Sequence, residues 1–245
     1  MKQYEAVIKA MENNGGFATL GHLYKEALNV EGVTWGTKTP FASIRKIVQI
    51  KGEFFKIKPG LWALETHRNS LPIHILEQAT QIDHSTISDN AHYYYQGLLA
   101  EIGNMRNQST FIPLQDKNRP YLNYTLGQIV NMNKFHQFTY SEIINRAKTI
   151  DVMWFNERKL PDSAFEVEHS TDMQNSLLKF VQLQDFYVNL YIVADNSRKN
   201  LFQTKINLHA FSDIKDRVKF LSYDQVSQWH TKISELHITE LELGL

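Results

Sequence analysis

The sequence contains no cysteine among its 245 residues. This absence excludes disulfide bonds, zinc sites built from thiolates and thiol nucleophiles, so any chemistry must use carboxylates, histidines, hydroxyls or lysines. No stretch is long or apolar enough to predict a helix that spans a bilayer, and the first ten residues lack the apolar centre of a signal peptide. We therefore expect an intracellular, cytoplasmic protein with no membrane partner.

An overall excess of positive charge is also missing, because 26 Lys and Arg residues balance 26 Asp and Glu residues. This balance weighs mildly against nucleic-acid binding, for which a basic surface is typical. The distribution is uneven, however, and seven basic residues crowd one short stretch. They are Lys38, Arg45, Lys46, Lys51, Lys56, Lys58 and Arg68. A local basic face is therefore compatible with the neutral total.

Residues 1–66 carry the pattern of three helices followed by a β-hairpin. Apolar residues recur at helical spacing in residues 4–11 and 20–28, and Thr39-Pro40 has the chemistry of a helix start, with a hydroxyl cap before a proline. Two short apolar strands flank the turn Lys58-Pro59-Gly60. This order predicts a winged helix-turn-helix domain.

The third helix and the hairpin of this domain carry side chains suited to phosphates and base edges. The candidate DNA-binding residues are Thr39, Ser43, Arg45, Lys46, Lys56 and Lys58. An alternative is that the small domain packs against a partner protein, as winged helices also do. The polar outward face of the third helix favours DNA.

The rest of the chain divides into a polar linker, residues 67–90, and a second domain, residues 91–245. In that domain, patterns predict helices at 92–107, near 126–131, at 171–184 with Thr171 or Asp172 as cap, and from 223. Strands are predicted at 110–114, 150–155, 164–168, 187–194, near 201–206 and near 218–222. The fold class is thus α/β (α+β), a winged helix-turn-helix followed by a mixed β-sheet flanked by helices.

Three acidic residues of the second domain are predicted to converge. Strand alternation places Glu166 and Glu168 on one face, while Phe165 and Val167 point to the other. Asp151 opens the preceding strand, and the short connection makes the two strands antiparallel neighbours. Asp151 can therefore reach the same location.

Such a cluster of like charges costs several kcal/mol by repulsion and desolvation unless a cation compensates it. Mg²⁺ is suited to this role, since it takes oxygen ligands and activates water for attack on phosphorus. The alternative, for an isolated pair of glutamates, is a solvated strand face. The acidic residue on the neighbouring strand favours the metal site.

Asp151, the intervening hairpin and Glu166-Val167-Glu168 resemble the catalytic motif of PD-(D/E)XK nucleases, in the variant in which a second glutamate replaces the lysine. The likeness extends over most of residues 92–211, from the helix at 95–103 to the segment at 165–171. The N-terminal part is similar to HARE-type helix-turn-helix domains through residues 38–44 and 54–64, and such domains occur fused to restriction endonucleases.

This resemblance implies a type II restriction endonuclease that cleaves double-stranded DNA with Mg²⁺, for which Mn²⁺ can substitute. It implies that Asp151 and Glu166 hold the metal, that Glu101 is an additional metal ligand, and that Glu168 stands where the lysine activates water. A cognate DNA methyltransferase is implied as genetic partner. A homodimer is expected because cutting two strands calls for two active centres.

Two other functions compete with this interpretation. A modification-dependent nuclease would differ in what the N-terminal domain senses, and a non-catalytic DNA-binding regulator would have lost activity. The intact set of Asp151, Glu166 and Glu168 argues against the regulator. The chain has no G-x-x-x-x-G-K-[ST] sequence, so ATP-driven translocation is not expected.

Overall fold

A computed structural model describes residues 1–79, 86–169 and 172–245 of the chain. These residues form two compact units, one of residues 1–87 with 227–245 and one of residues 88–226. The predicted second domain, residues 91–245, therefore extends past the second unit, because residues 227–245 pack with the first. Residues 80–85 of the predicted linker, with His84, lie outside the described residues.

The first unit contains the three helices and the hairpin that the sequence predicts, together with one strand that it did not and a short helix within the predicted linker. The elements are α1 (Gln3–Asn13), β1 (Phe17–Thr19), α2 (Leu20–Glu26), α3 (Pro40–Ile50), β2 (Phe54–Lys58), β3 (Leu61–Leu64) and α4 (Ile73–Ala79). The strands form an antiparallel sheet in the order β1-β3-β2. The core includes Val7, Met11, Leu23, Tyr24, Ile44, Val48, Phe54 and Leu64.

Two turns of this unit follow from glycine. Gly15 and Gly16 after α1 have φ values of +84° and +87°, and Gly60 in the hairpin turn has φ +78°, a region that residues with a Cβ rarely adopt. Helix α3 begins with Pro40 as predicted, but the Thr39 side chain makes no capping hydrogen bond. It lies 3.4 Å from the Thr37 hydroxyl instead.

The second unit is a five-stranded mixed sheet with helices. Its elements are α5 (Thr86–Met105), β4 (Ser109–Phe111), β5 (Pro120–Tyr121), β6 (Tyr124–Thr125), α6 (Leu126–Ile129), α7 (Ser141–Ala147), β7 (Val152–Phe155), β8 (Pro161–Glu168), α8 (Met173–Val181), β9 (Asn189–Ala194), α9 (Lys199–Ile206), β10 (Val218–Ser222) and α10 (Tyr223–Leu243), which continues into the first unit. The sheet order is β10-β9-β8-β7-β4, and β5 and β6 form a separate pair.

The pairing of the central strands positions the acidic residues. β7 is antiparallel to β8, with Val152 opposite Phe165, as predicted from the short connection. Continuing this register by one residue brings Asp151 beside Glu166. β8 is parallel to β9 and β9 to β10. The middle strand β8 therefore has a hydrogen-bonded neighbour on each side, and its side chains from Ser163 to Glu168 are buried.

One predicted element is wrong. Residues 201–206, expected as a strand, belong to helix α9. The reason is the spacing of its apolar residues, because Phe202 and Ile206 are four positions apart and both pack into the core, as on one helix face. At the start of α8, Asp172 caps the helix by accepting a hydrogen bond from the Gln174 amide, while Thr171 lies outside the described residues.

None of the helices within the described residues combines the length and the apolar composition that crossing a bilayer requires.

Candidate active site

Two glutamates of strand β8 lie at the same buried location. Glu166 and Glu168 are each 2% exposed, and they reach the same neighbour, since the Ser176 hydroxyl lies 2.8 Å from Glu166 Oε2 and also bonds Glu168 Oε1. The predicted common face of the two glutamates is therefore confirmed. Their separation by two residues is what a pleated strand requires.

Helix α8 supplies the positive charge of this cluster. Lys179 Nζ lies 2.8 Å from each carboxylate oxygen of Glu166 and donates to the Thr149 carbonyl, also at 2.8 Å. Ser176 and Lys179 are three residues apart on α8 and so share one side of the helix. The Arg198 Nη2 atom lies 3.9 Å from Glu168 Oε2, which places a second cation beside the cluster.

Asp151, the residue directly before β7, completes the cluster. Its Oδ2 atom accepts a 2.7 Å hydrogen bond from the Val167 amide, and its own carbonyl accepts one of 2.8 Å from Gln96 Nε2. Burial raises the pKa of the Asp151 carboxyl, with His92, Lys179 and the Val167 amide opposing that rise. The side chain is therefore held in place by the backbone of β8.

The pKa of Glu166 lies well above its usual range, first because the carboxyl is buried and second because the charge of Asp151 is close. The ion pair with Lys179 and the Ser176 hydroxyl oppose the rise. A nearby carboxylate thus raises the pKa of Glu166, and a bound cation would offset that repulsion.

Helix α5 and the turn before β5 bring further groups to Asp151. The ligand atoms of His92, Asp116 and Asp151 all lie within 4.8 Å of one another. Gln96, fully buried, donates to Asp116 Oδ2 at 3.0 Å as well as to the Asp151 carbonyl. His92, Asp151, Glu166, Glu168 and Lys179 line an open pocket of about 320 Å³.

The family model for the Type II restriction enzyme NmeDI C-terminal domain matches residues 71–242, well over half of the chain. The chain belongs to this family. No curated protein matches the chain, and no solved structure matches it.

Membership in this restriction-enzyme family supports a restriction endonuclease, and hence a nuclease whose substrate is DNA. The matched segment contains α5, the mixed sheet and α8, so it includes all the groups of the pocket. The predicted type II restriction endonuclease is supported at this level.

The structure brings together three of the four predicted catalytic residues. Asp151, Glu166 and Glu168 line the same pocket, but Glu101 does not join them. It is nine residues beyond His92 on α5, which corresponds to about 13 Å along a helix that rises about 1.5 Å per residue. Its Oε2 atom accepts a 2.9 Å hydrogen bond from the Tyr121 hydroxyl.

The predicted DNA-binding residues of the first unit differ in how far their side chains are exposed to solvent. Thr39, Lys46 and Lys56 are exposed, and Ser43 is half-buried. Arg45 is engaged, since its Nη1 atom lies 2.9 Å from the Tyr24 hydroxyl and 3.0 Å from Glu235 Oε2.

Lys58 differs from the other wing lysine. Part of its stem is exposed, but its ammonium nitrogen is buried, and burial lowers the pKa of the group to about 7. The structure therefore does not present the Lys58 charge on the surface, as a phosphate contact would require.

Three residues of the site were not identified from the sequence: Lys179, His92 and Asp116. Lys179 had a signal, because it follows the buried Ser176 by three residues on the helix directly after the motif strand. His92 and Asp116 are 59 and 35 residues from Asp151 in sequence. His92 and Asp116 reach Asp151 only because α5 and the turn before β5 pack around the sheet.

Proposed function

We propose that this protein is a type II restriction endonuclease that hydrolyses phosphodiester bonds of double-stranded DNA at a specific sequence with Mg²⁺. The observation that carries the proposal is the placement of Asp151 beside Glu166 and Glu168, with Lys179 at 2.8 Å from Glu166. The strand order, with an antiparallel β7–β8 pair followed by a helix and a parallel strand, supports a nuclease fold of the PD-(D/E)XK kind.

The residues of the pocket fit a hard divalent cation. Asp151 and Glu166 offer carboxylate oxygens, the ligands that Mg²⁺ prefers. Both have raised pKa values, first because they are buried and also because another carboxylate is near, Asp116 for Asp151 and Asp151 for Glu166. When bound, Mg²⁺ would polarise the phosphoryl group and acidify a water molecule. Mn²⁺, which also prefers oxygen ligands, is expected to substitute.

Lys179 supplies the positive charge that the motif strand itself lacks. Its ammonium group donates to both carboxylate oxygens of Glu166 and to the Thr149 carbonyl, and because it lines the pocket its charge would act on a phosphoryl group bound there. Glu168 stands at the motif position of the usual lysine and is held by Ser176 and Arg198. In this proposal Glu168 orients the attacking water and Lys179 stabilises the developing negative charge.

The first unit, built on residues 1–66, is proposed to hold the DNA duplex as a winged helix. The order helix, strand, helix, helix, strand, strand and the three-stranded antiparallel sheet support this assignment. Helix α3 would then face DNA with Thr39, Ser43 and Lys46, and the β2–β3 wing would add Lys56. A homodimer would supply two active centres for the two strands, and a cognate methyltransferase would protect the same sequence.

The experiment that tests the proposal is digestion of mixed-sequence duplex DNA by the purified protein with Mg²⁺ and with chelator, alongside Asp151→Ala. Discrete fragments that require metal and are lost in the variant would support a sequence-specific nuclease. Parallel digestion of methylated DNA separates this enzyme from a modification-dependent one. Binding without cleavage of either substrate would instead indicate a DNA-binding regulator.

A further inference from the structure

His92, Asp116 and Asp151 converge on one point although they belong to three different segments. Their ligand atoms lie within 4.8 Å of one another, and His92 Nε2 is 3.8 Å from Asp151 Oδ1, which is too long for a hydrogen bond. An opening of this size is close to the span across a single ion, roughly 4–4.5 Å for metal–ligand distances of about 2.0–2.2 Å.

The His92 ring is oriented as a metal ligand would be. Its Nδ1 atom lies 2.9 Å from the Val167 carbonyl oxygen, and because a carbonyl oxygen only accepts, Nδ1 carries the hydrogen and donates it. In the neutral ring, the lone pair is then on Nε2, the atom that faces Asp151. Ligating histidines usually donate their other N–H to a carbonyl or carboxylate, which fixes both tautomer and ring orientation.

Asp116 contributes a buried carboxyl group to this cluster. Its side chain is 9% exposed, and its carboxylate accepts a hydrogen bond from Gln96 Nε2 at 3.0 Å. In the part of the chain that the structure describes, no lysine or arginine pairs with it. Two carboxylates facing each other in a buried location, Asp116 and Asp151, are costly unless a positive ion lies between them.

The glutamates on the other side of the pocket do have cationic neighbours. Glu166 has Lys179 at 2.8 Å, and Glu168 has Arg198 at 3.9 Å, so protein cations already offset both glutamates. Asp116 and Asp151, next to the imidazole nitrogen, have no lysine or arginine at ion-pair distance among the residues that the structure describes.

We propose that His92, Asp116 and Asp151 form a second cation position, adjacent to the proposed Mg²⁺ position and sharing Asp151 with it. A ligand set with one imidazole nitrogen and two carboxylates favours Co²⁺, Ni²⁺ or Zn²⁺ over Mg²⁺ and Ca²⁺, which prefer oxygen alone. The inference deepens the proposed nuclease function, but it depends on that function only through the shared Asp151.

The test is Co²⁺ binding to the full chain without DNA, followed by visible absorption and by calorimetry, with Mg²⁺ titrated in parallel. His92→Gln keeps a donor for the Val167 carbonyl and removes the nitrogen ligand, so we expect Co²⁺ affinity to fall at least about tenfold. The Mg²⁺ affinity should change by less than about threefold, because the imidazole nitrogen is not a preferred Mg²⁺ ligand.

Two controls locate the ion. His136→Gln removes a partly buried ring of the same unit that packs on Phe155, and Asp213→Asn removes an exposed carboxylate of the same unit. Both should leave Co²⁺ affinity within about threefold of the wild type. Asp116→Asn provides an independent second ligand variant, and far-UV circular dichroism verifies that each variant is folded.

Unchanged Co²⁺ binding in both His92→Gln and Asp116→Asn would overturn the inference. DNA cleavage with Mg²⁺, measured on the same preparations, separates this result from the proposed function. A wild type that binds Co²⁺ through His92 but cleaves no DNA contradicts the nuclease proposal alone. If the wild type cleaves DNA but His92→Gln binds Co²⁺ as tightly as the wild type, only the second cation position is contradicted.

Discussion

The ammonium group of Lys179 lies 2.8 Å from both carboxylate oxygens of Glu166. The two side chains are 18% and 2% exposed, so the pair is largely shielded from water and its electrostatic interaction is stronger than on the surface. The lysine comes from α8, thirteen residues after the glutamate of β8. A helix thus supplies the charge that the motif strand does not carry.

We expect Lys179→Met to lower the rate of DNA cleavage by about 10²–10³-fold, the range for removing one group that stabilises transition-state charge. Because the substitution removes a cation from the carboxylates, divalent-metal affinity should stay the same or increase. The measurements are single-turnover cleavage of a duplex and metal titration by calorimetry. Lys179→Arg, which keeps the charge in a different geometry, should recover only part of the rate.

Lys148→Met is the matched control for this prediction. Lys148 is an exposed lysine at the end of α7 in the same unit, so its loss should leave cleavage nearly unchanged. A cleavage rate for Lys179→Met equal to that of the control would show that Lys179 only supports the fold.

The second prediction concerns the stability of the metal-free protein. Asp151→Asn keeps an oxygen that accepts the Val167 amide hydrogen bond but removes a buried charge whose pKa is raised by burial. We expect the free energy of unfolding, measured by urea with chelator at neutral pH, to rise by about 1–2 kcal/mol, as for other stabilising substitutions at strained sites. Metal binding and cleavage should be lost.

Asp213→Asn, at an exposed position, serves as the control and should change stability by less than about 0.5 kcal/mol. If Asp151→Asn destabilised the metal-free protein, then the native site would not be holding a disfavoured charge.

The third prediction is the pH dependence of that stability. Asp151 and Glu166 have raised pKa values in the folded protein, mainly through burial, so the folded state binds their protons more tightly than the unfolded chain does. Their contribution to the free energy of unfolding is therefore most favourable below the ordinary carboxyl pKa, near pH 4. It falls as the pH rises through the native pKa values.

The contribution is best isolated as the difference between the wild type and Asp151→Asn/Glu166→Gln, since other carboxyl groups of the protein titrate in the same range. Unfolding by urea with chelator at pH 4 to 8 should show the wild type losing stability relative to the double variant. A difference that stays constant over this range would mean that the two pKa values are not raised. Added Mg²⁺ should reduce the loss.

The sequence predicted the convergence of Asp151, Glu166 and Glu168 because the signals for it are local. Alternation along β8 places Glu166 and Glu168 together, and the short connection to β7 brings Asp151 beside them. The sequence did not predict the contacts that depend on how distant elements pack together. Glu101 shares a helix with His92, but only the placement of α5 against the sheet determines that His92, and not Glu101, faces Asp151.

The same distinction explains the errors in the elements. The three-residue strand β1 has no alternation long enough to identify it, and its pairing with β3 is a long-range contact. The segment that forms α9 has apolar residues too sparse for periodicity to separate strand from helix.

The fourth prediction separates the roles of the basic residues in the first unit. Lys46→Ala and Lys56→Ala each remove an exposed charge and should weaken DNA binding similarly for all sequences, while lowering the slope of affinity against salt by about one. Arg45→Ala should in addition destabilise the fold, because Arg45 bonds both Tyr24 and Glu235. Fluorescence anisotropy over a range of salt concentrations measures the slope.

Lys25→Ala is the control for this set, since Lys25 is 71% exposed on α2 and is not among the proposed DNA contacts. A salt slope lowered as much by Lys25→Ala as by Lys46→Ala would assign the effect to net charge rather than to α3 and the wing.

The last prediction tests how α5 is held where His92 and Gln96 reach Asp151. A Cβ atom on Gly97 would lie 2.2 Å from the Tyr121 ring, so the helix can approach β5 this closely only because the residue has no side chain. We expect Gly97→Ala to lower the free energy of unfolding by about 1–3 kcal/mol through overpacking, although alanine is the better helix former. Gly36→Ala, with no atom within 4 Å of its added Cβ, should be nearly neutral. If α5 is displaced as this contact requires, Gly97→Ala will also weaken Co²⁺ binding in the folded protein, whereas an unaltered Co²⁺ affinity would mean that the Tyr121 ring moves and α5 does not.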